Sequence, residues 1–384
     1  MPLMLLLSCS LFTFFVLYAP QPLLMVLATQ YNVSPASSGS LMSATMLPLA
    51  IAPICYGILF ARFNPLRILK YAMFLLAITC ITFVHMPNFE LLLATRFIQG
   101  LILPAALTAM TTYIGQQYQG RTLHKNMTRY IASSIMGGYL GRVLSANFAA
   151  FFTWQSFYYF IAVMLVVLAL TITTQSSQFS PSKHTVPSSP KDYVRPLKET
   201  RLFRLYCAVF CMFFCFSGLL NYLPFILQTR FHIIDSKMIG WIYTSYLVGA
   251  ILSLSTPTLR RYITNNWVFL SAIFLTYSIS IALLSVSNLN FFVVIFTLFC
   301  ACMFMIHSTA APLVNQLSKA PTSITNGAYV SFYYSGGALG SYIPGLIMQH
   351  HGYTAFIISL LLVSLVGLVL VTKNYKHGMS TMRG

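Results

Sequence analysis

The sequence predicts an all-α membrane protein, twelve transmembrane helices arranged as two similar six-helix halves. Three observations carry that prediction. Of 384 residues, 58% are hydrophobic and only 7% charged, with a mean hydropathy of +0.77, whereas a soluble domain carries about 25% charged residues. Apolar runs of about 20 residues, the length that crosses a bilayer, recur along the whole chain. Segments of the first half also return in order in the second, about 200 residues later.

The twelve runs are 3–28, 39–60, 68–86, 89–116, 129–151, 154–174, 203–228, 238–258, 266–286, 290–317, 325–349 and 353–372. Backbone polar groups must be satisfied inside the bilayer, so these runs are helices rather than open strands. The chain opens on MPLMLLL with no basic segment ahead of it, so the first run reads as a helix rather than a cleaved signal peptide. After the sixth run comes QSSQFSPSKHTVPSSPKDYVRPLKETRLFR, rich in Ser, Pro and basic residues. That is linker composition. It divides the chain into a half at 1–174, a cytoplasmic linker at 175–202 and a half at 203–384. Little chain is left for an ATPase domain, and the phosphate-loop pattern G-x-x-x-x-G-K-[ST] does not occur.

The net charge of +18 is unevenly placed. With both termini cytoplasmic, the cytoplasmic loops and tail hold eighteen of the 22 Lys and Arg residues. Arg230 and Lys237 lie outside, and Arg96 and Arg142 lie within helices. This is the positive-inside pattern, and its partners are anionic lipid headgroups rather than nucleic acid. All eight cysteines fall in predicted helices without a C-x-x-C pair, and read as packing residues. No cofactor or metal is expected. No nucleophile–base pair stands at membrane depth, so the chain is not expected to be an enzyme.

GGYLGRVLSANFAAFFTWQSF from Gly137 matches GGALGSYIPGLIMQHHGYTAF from Gly336, which pairs Trp154 with Tyr353 and Phe157 with Phe356. NFELLLATRF from Asn88 aligns with NFFVVIFTLF from Asn290, an offset of 202, and Gly39 maps onto Gly240. In that alignment Arg96 stands opposite Leu298, Arg142 opposite Ser341, and His307 opposite Ala105. Gln21 and Asn221 match, beside Tyr18 and Tyr222. Structural positions tend to recur in a duplication, so breaks of symmetry are where function is sought. Two parallel halves place a solute site near the midplane, with alternating access by rocking.

Several motifs resemble those of the major facilitator superfamily. GILFARFNPLR at 57–67 is similar to its loop G-x-x-x-D-R-x-G-R-[RK], keeping Gly57 and Arg62 but with Ala61 for the aspartate and Asn64 for the second glycine. RFIQG at 96–100 resembles its fourth-helix R-x-x-Q-G. YAPQPLL at 18–24 and GGYLGR at 137–142 resemble the arabinose-efflux-like permease branch. The resemblance implies a twelve-helix carrier whose first, fourth, seventh and tenth helices line a central cavity. It implies gating roles for Gly57, Arg62, Arg67, Arg260 and Arg261. It also implies export of a small solute from a monomer in a bacterial inner membrane, with protons as a candidate coupling partner.

An arginine at membrane depth costs at least about 2.5–3.5 kcal/mol and stays protonated. Arg96 lies about 8 Å inside its run and Arg142 about 13 Å, at 1.5 Å per residue. The acids Glu90, Asp192, Glu199 and Asp235 all lie at loops or helix edges, so the counter-charge is dipolar or arrives from outside. Two readings stay open: each arginine caps carbonyls and pins helices, or it contacts the solute. The second makes the chain an organic-anion carrier or exchanger. A membrane sensor, the alternative of a different class, predicts an appended soluble domain. Gln99 sits one turn from Arg96 and can bond it. The amides of Gln21 and Asn221 either bind solute or bond between helices. His307 is the candidate proton carrier, since imidazole titrates near about pH 6.5; the alternative is an ordinary hydrogen-bonded helix histidine.

The charge bias generates a topology test. In a cysteine-free background, Ser188→Cys is expected to resist an impermeant thiol reagent in intact cells and to react after permeabilisation. Efficient labelling from outside would reverse the orientation.

Overall fold

Helix is the only regular secondary structure among the described residues, which in this computed structural model are 1–59, 63–173, 197–318 and 320–380. Arg62, Asp192 and the test position Ser188 lie outside them.

The helices are α1 (Leu3–Tyr18), α2 (Leu24–Gln30), α3 (Pro35–Leu59), α4 (Pro65–Val84), α5 (Phe89–Gln117), α6 (Gly120–Phe151) and α7 (Trp154–Thr171). Then come α8 (Thr200–Phe231), α9 (Ser236–Ile242), α10 (Thr244–Leu252), α11 (Thr256–Tyr262), α12 (Asn266–Leu283) and α13 (Leu289–Leu317). The last run, Thr322–Ser380, breaks at Gly352, where φ is 79°. Its two parts are α14 (322–351) and α15 (353–380). A positive φ of that size suits glycine, which has no Cβ to clash.

Nine stretches of the described residues are long and apolar enough to cross a membrane, and one of them, Ile324–Tyr375, spans the Gly352 break and holds two helices. α3 and α6, 25 and 32 residues long, have spanning length too. Together these make the twelve expected helices among the described residues.

The first span is not one helix. α1 stops at Tyr18, and a 3₁₀ turn, Gln21–Leu23, leads into α2. Pro20 and Pro22 explain the break. Proline has no N–H, so the carbonyls four residues earlier, those of Val16 and Tyr18, lose their intrahelical donors. The corresponding α8 has Leu220 and Tyr222 at those places and runs unbroken for 32 residues. The span expected at 238–258 is likewise divided, into α9, α10, a 3₁₀ turn and α11.

The described residues form two compact units. The first holds 1–33, the described residues of 40–173, and 233–243; the second holds 34–39, 197–232 and 244–380. Each repeats contacts of the other. In the first unit Trp154 Nε1 donates to Gln30 Oε1 at 2.8 Å. In the second, Arg230 lies 4.4 Å from the centroid of the Tyr353 ring, the residue paired with Trp154 by sequence.

The structure corrects one register. α5 and α13 are both 29 residues long, capped by Asn88 and Asn288, whose side chains accept from Leu91 N at 2.9 Å and Phe291 N at 3.0 Å. The offset here is therefore 200, not 202. In SNLNFF the capping asparagine and the one two residues later are the same letter, and the sequence match took the second. Arg96 thus corresponds to Phe296 rather than Leu298, and His307 to Leu107 rather than Ala105.

Close helix approach is expressed by the G-x-x-x-G pairs. A Cβ on Gly137 would lie 2.7 Å from Leu11 O, and one on Gly340 would overlap the Phe214 carbonyl. Gly340→Ala is expected to cost about 1–3 kcal/mol by overpacking and to lower the unfolding temperature of the purified protein. Gly327→Ala, where no atom lies within 4 Å of the new Cβ, should be neutral or stabilising. Equal effects would remove the packing role.

Candidate functional site

Arg96 is fully buried, and its hydrogen bonds use its whole donor capacity. Nε donates to Leu41 O at 3.3 Å. One terminal nitrogen reaches Val16 O at 2.9 Å and Gln99 Oε1 at 2.6 Å, and the other reaches Leu17 O at 3.0 Å and Met42 Sδ at 3.9 Å. A guanidinium has five N–H donors, and there are five acceptors. Val16 O is the carbonyl that Pro20 deprives of a donor. The end of α1 also carries the negative end of the helix dipole, which favours a cation. The dipolar alternative is therefore realised for Arg96: it ties α5 to α1 and α3. Thr45 Oγ1 donates back to Arg96 O at 3.2 Å. Gln99 Nε2 is buried without a hydrogen-bond partner among the described residues.

Arg142, on α6, reaches the same interruption through the Gln21 side chain. It is buried. Its Nε donates to Gln21 Oε1, and Nη1 donates to Gly138 O at 2.6 Å, one turn back on its own helix. Its guanidinium carbon lies 4.1 Å from the centroid of Tyr18 and 6.0 Å from that of Tyr243, arrangements that attract a cation to the ring face. Ser145, one turn on from Arg142, donates to Ala19 O at 2.7 Å. Three residues on two helices thus serve the broken segment 16–21. Ser145 and Tyr243 had no signal in the sequence, since an isolated Ser or Tyr in an apolar run is unremarkable.

The second unit builds the corresponding contact without charge. Ser341 is the repeat mate of Arg142 and Asn221 that of Gln21. Asn221 Nδ2 donates to Ser341 Oγ at 2.6 Å and to Ser217 Oγ at 3.3 Å, and Ser341 Oγ donates to Gly337 O at 2.7 Å. Tyr222 Oη donates to Ser341 O at 2.9 Å, in a slot where a Cβ on Gly39 or Gly345 would overlap the hydroxyl. Asn221 and Tyr222 therefore join α8 to α14.

His307, on α13, is half-buried and its Nδ1 lies 2.7 Å from Tyr329 Oη on α14. Among the gating candidates, Gly57 lies in α3, and Arg67 and Arg261 are exposed. Arg260 bonds Asn266 Oδ1 while its Nε has no partner among the described residues. Among the described residues no group of three or more His, Cys, Asp or Glu is placed to hold a metal.

The sequence model of the Major Facilitator Superfamily matches residues 6–341. The chain belongs to that superfamily. An uncharacterised transporter of Buchnera aphidicola subsp. Baizongia pistaciae is 25% identical over 361 residues, covering 92% of this chain and 89% of that one. The inner membrane transport protein YnfM of Escherichia coli K12 is 25% identical over 365 residues, 94% of this chain and 87% of YnfM. Among solved structures, a point mutant of the nucleoside transporter NupG superposes with a TM-score of 0.76 at 14% identity, over 98% of this chain and 99% of that one. At that identity the likeness is one of fold. The superfamily carrier is thus a multi-pass membrane transporter of small molecules, not an enzyme.

Arg96→Ala is expected to lower the unfolding temperature markedly, because the carbonyls of Val16 and Leu17 lose a donor, each at about 1–3 kcal/mol, whereas Leu41 O keeps the Thr45 hydroxyl. Arg96→Lys should recover only part, having three donors for five acceptors. An unchanged unfolding temperature for Arg96→Ala would remove Arg96 from the support of α1.

Proposed function

We propose that this superfamily carrier is a secondary active exporter of a small solute bearing an anionic group, and that Arg142 is the residue that meets that group. One observation carries the assignment. The second unit makes the corresponding helix contact with Ser341 and Asn221, so packing at this place does not require a guanidinium. Arg142 is charge added to a joint that works without it.

The contrast with Arg96 supports the same reading. Arg96 is held largely by backbone carbonyls, which cannot swing away. Three of the groups around Arg142, namely Gln21, Tyr18 and Tyr243, are side chains with rotatable bonds. A carboxylate or similar anion can take the place of Gln21 on Nε, and charge-assisted pairing favours the exchange. Broken transmembrane helices are also where other carriers place their solutes. Resemblance to efflux permeases supports export, and membership of the superfamily supports a secondary mechanism. The basic-residue bias supports cytoplasmic termini in an inner membrane, and protons remain the candidate coupling ion, with His307 the residue to examine.

A thermal-shift screen against small anions, cations and neutral solutes tests this, because a ligand of the folded state raises apparent stability by mass action. Organic anions are the expected hits. Arg142→Gln should weaken them tenfold or more, as the loss of a charge-assisted bond of about 1.5–3 kcal/mol requires, while leaving neutral solutes unaffected. Hits confined to lipophilic cations, or anion shifts that survive in Arg142→Gln, would overturn the reading.

A further inference from the structure

The second unit contains a polar aromatic cluster that the first does not repeat. Tyr333 stacks on Phe213 with ring centroids 3.6 Å apart and planes inclined by 19°. His307 lies beside both tyrosines, 5.2 Å from the Tyr333 centroid and 5.6 Å from that of Tyr329. Phe213 and Tyr329 are buried, whereas His307 and Tyr333 keep part of their surface open. At the equivalent places the first unit has Thr13, Leu107, Tyr130 and Ser134. Only the tyrosine at 130 persists, so joining the helices does not require the other three.

The imidazole is fixed but not used up. Tyr329 Oη occupies Nδ1 at 2.7 Å. Among the described residues Nε2 has no hydrogen-bond partner. In either neutral tautomer one ring nitrogen donates and the other accepts, so Nε2 stays available for one hydrogen bond. An ionisable side chain within a membrane-spanning helix faces the bundle interior or water rather than lipid. A flat ring face thus lies beside one hydrogen-bonding nitrogen, in a cluster of His, Tyr and Phe.

We propose that His307, Tyr329 and Tyr333, backed by Phe213, bind a planar aromatic group that carries a hydrogen-bonding substituent. The ring rests on Tyr333 and the substituent bonds His307 Nε2, while Tyr329 is a positioning residue that holds the imidazole. This assignment rests on the chain being a solute carrier and not on Arg142.

Two neutral probes of similar size test it: benzamide, which is flat, and cyclohexanecarboxamide, which is not. Thermal unfolding of the nanodisc-embedded protein is titrated with each. Benzamide is expected to reach half-saturation at a concentration roughly three to ten times lower, the range that an aromatic contact supplies beyond simple burial. Tyr333→Leu should abolish that difference. Tyr329→Phe keeps every ring and removes only the hydroxyl on Nδ1. It should weaken both amides and preserve the preference for benzamide, and it serves as the second variant should Tyr333→Leu not fold. Equal half-saturation in the wild type, no saturable benzamide shift, an undiminished preference in Tyr333→Leu, or unaltered binding of both amides in Tyr329→Phe would overturn the proposal. The probes carry no charge, so the outcome is independent of the anion screen on Arg142→Gln.

Discussion

The constraint on which the first unit turns is the interrupted hydrogen-bond ladder of α1. Two prolines in YAPQP take the intrahelical donors from carbonyl oxygens in a buried segment. Each such oxygen in a low-dielectric interior costs about 1–3 kcal/mol if left unmade. The surrounding helices answer with donors, Arg96 from α5 to Val16 O and Leu17 O and Ser145 from α6 to Ala19 O, while Arg142 bonds the Gln21 side chain. An arginine that is costly in a bilayer becomes favourable where several carbonyls converge at the negative end of a helix. The second unit has no such interruption in α8, and at the position of Arg96 it has Phe296. Break and charge go together, and both are absent together.

Duplication makes this argument sharper than one helix pair allows. The two units share their capping asparagines, their close glycine contacts and their paired residues on α6 and α14. Where they part company, the first unit has gained cations around a broken helix, and the second has gained His307, Tyr333 and Phe213. The shared contacts describe what the fold requires. The departures describe what each unit adds to it, charge in one and aromatic surface in the other.

Much of the fold was legible in the letters. Apolar runs mark helices because the bilayer permits little else, and run 89–116 differs by one residue from α5. The break at Gly352 falls in the expected gap, since glycine alone tolerates that φ without strain. The break in α1 was written in its prolines, but its consequence was not. Which donor reaches Val16 O depends on tertiary packing, because every peptide carbonyl looks alike in sequence. Arg96 and Arg142 therefore read as equivalent candidates, and only the structure separates one held by carbonyls from one boxed by side chains. The register of α13 was missed for a simpler reason, two asparagines a step apart. The partners Ser145, Tyr243 and Tyr329 carried no local pattern at all.

The attachment of two permanent charges to one short segment, one through backbone carbonyls and one through the Gln21 side chain, also has an electrical consequence. A unit charge moved across the full membrane potential exchanges about 2.3 kcal/mol with the field for each 100 mV. Arg96 is bonded to the last turn of α1, and Arg142 to the turn that follows. Any motion that carries this segment along the membrane normal carries guanidinium charge with it, and the field does work on it in proportion to the depth travelled. For such a motion the membrane voltage shifts the balance between its two end points, even for a solute whose own passage is electrically silent.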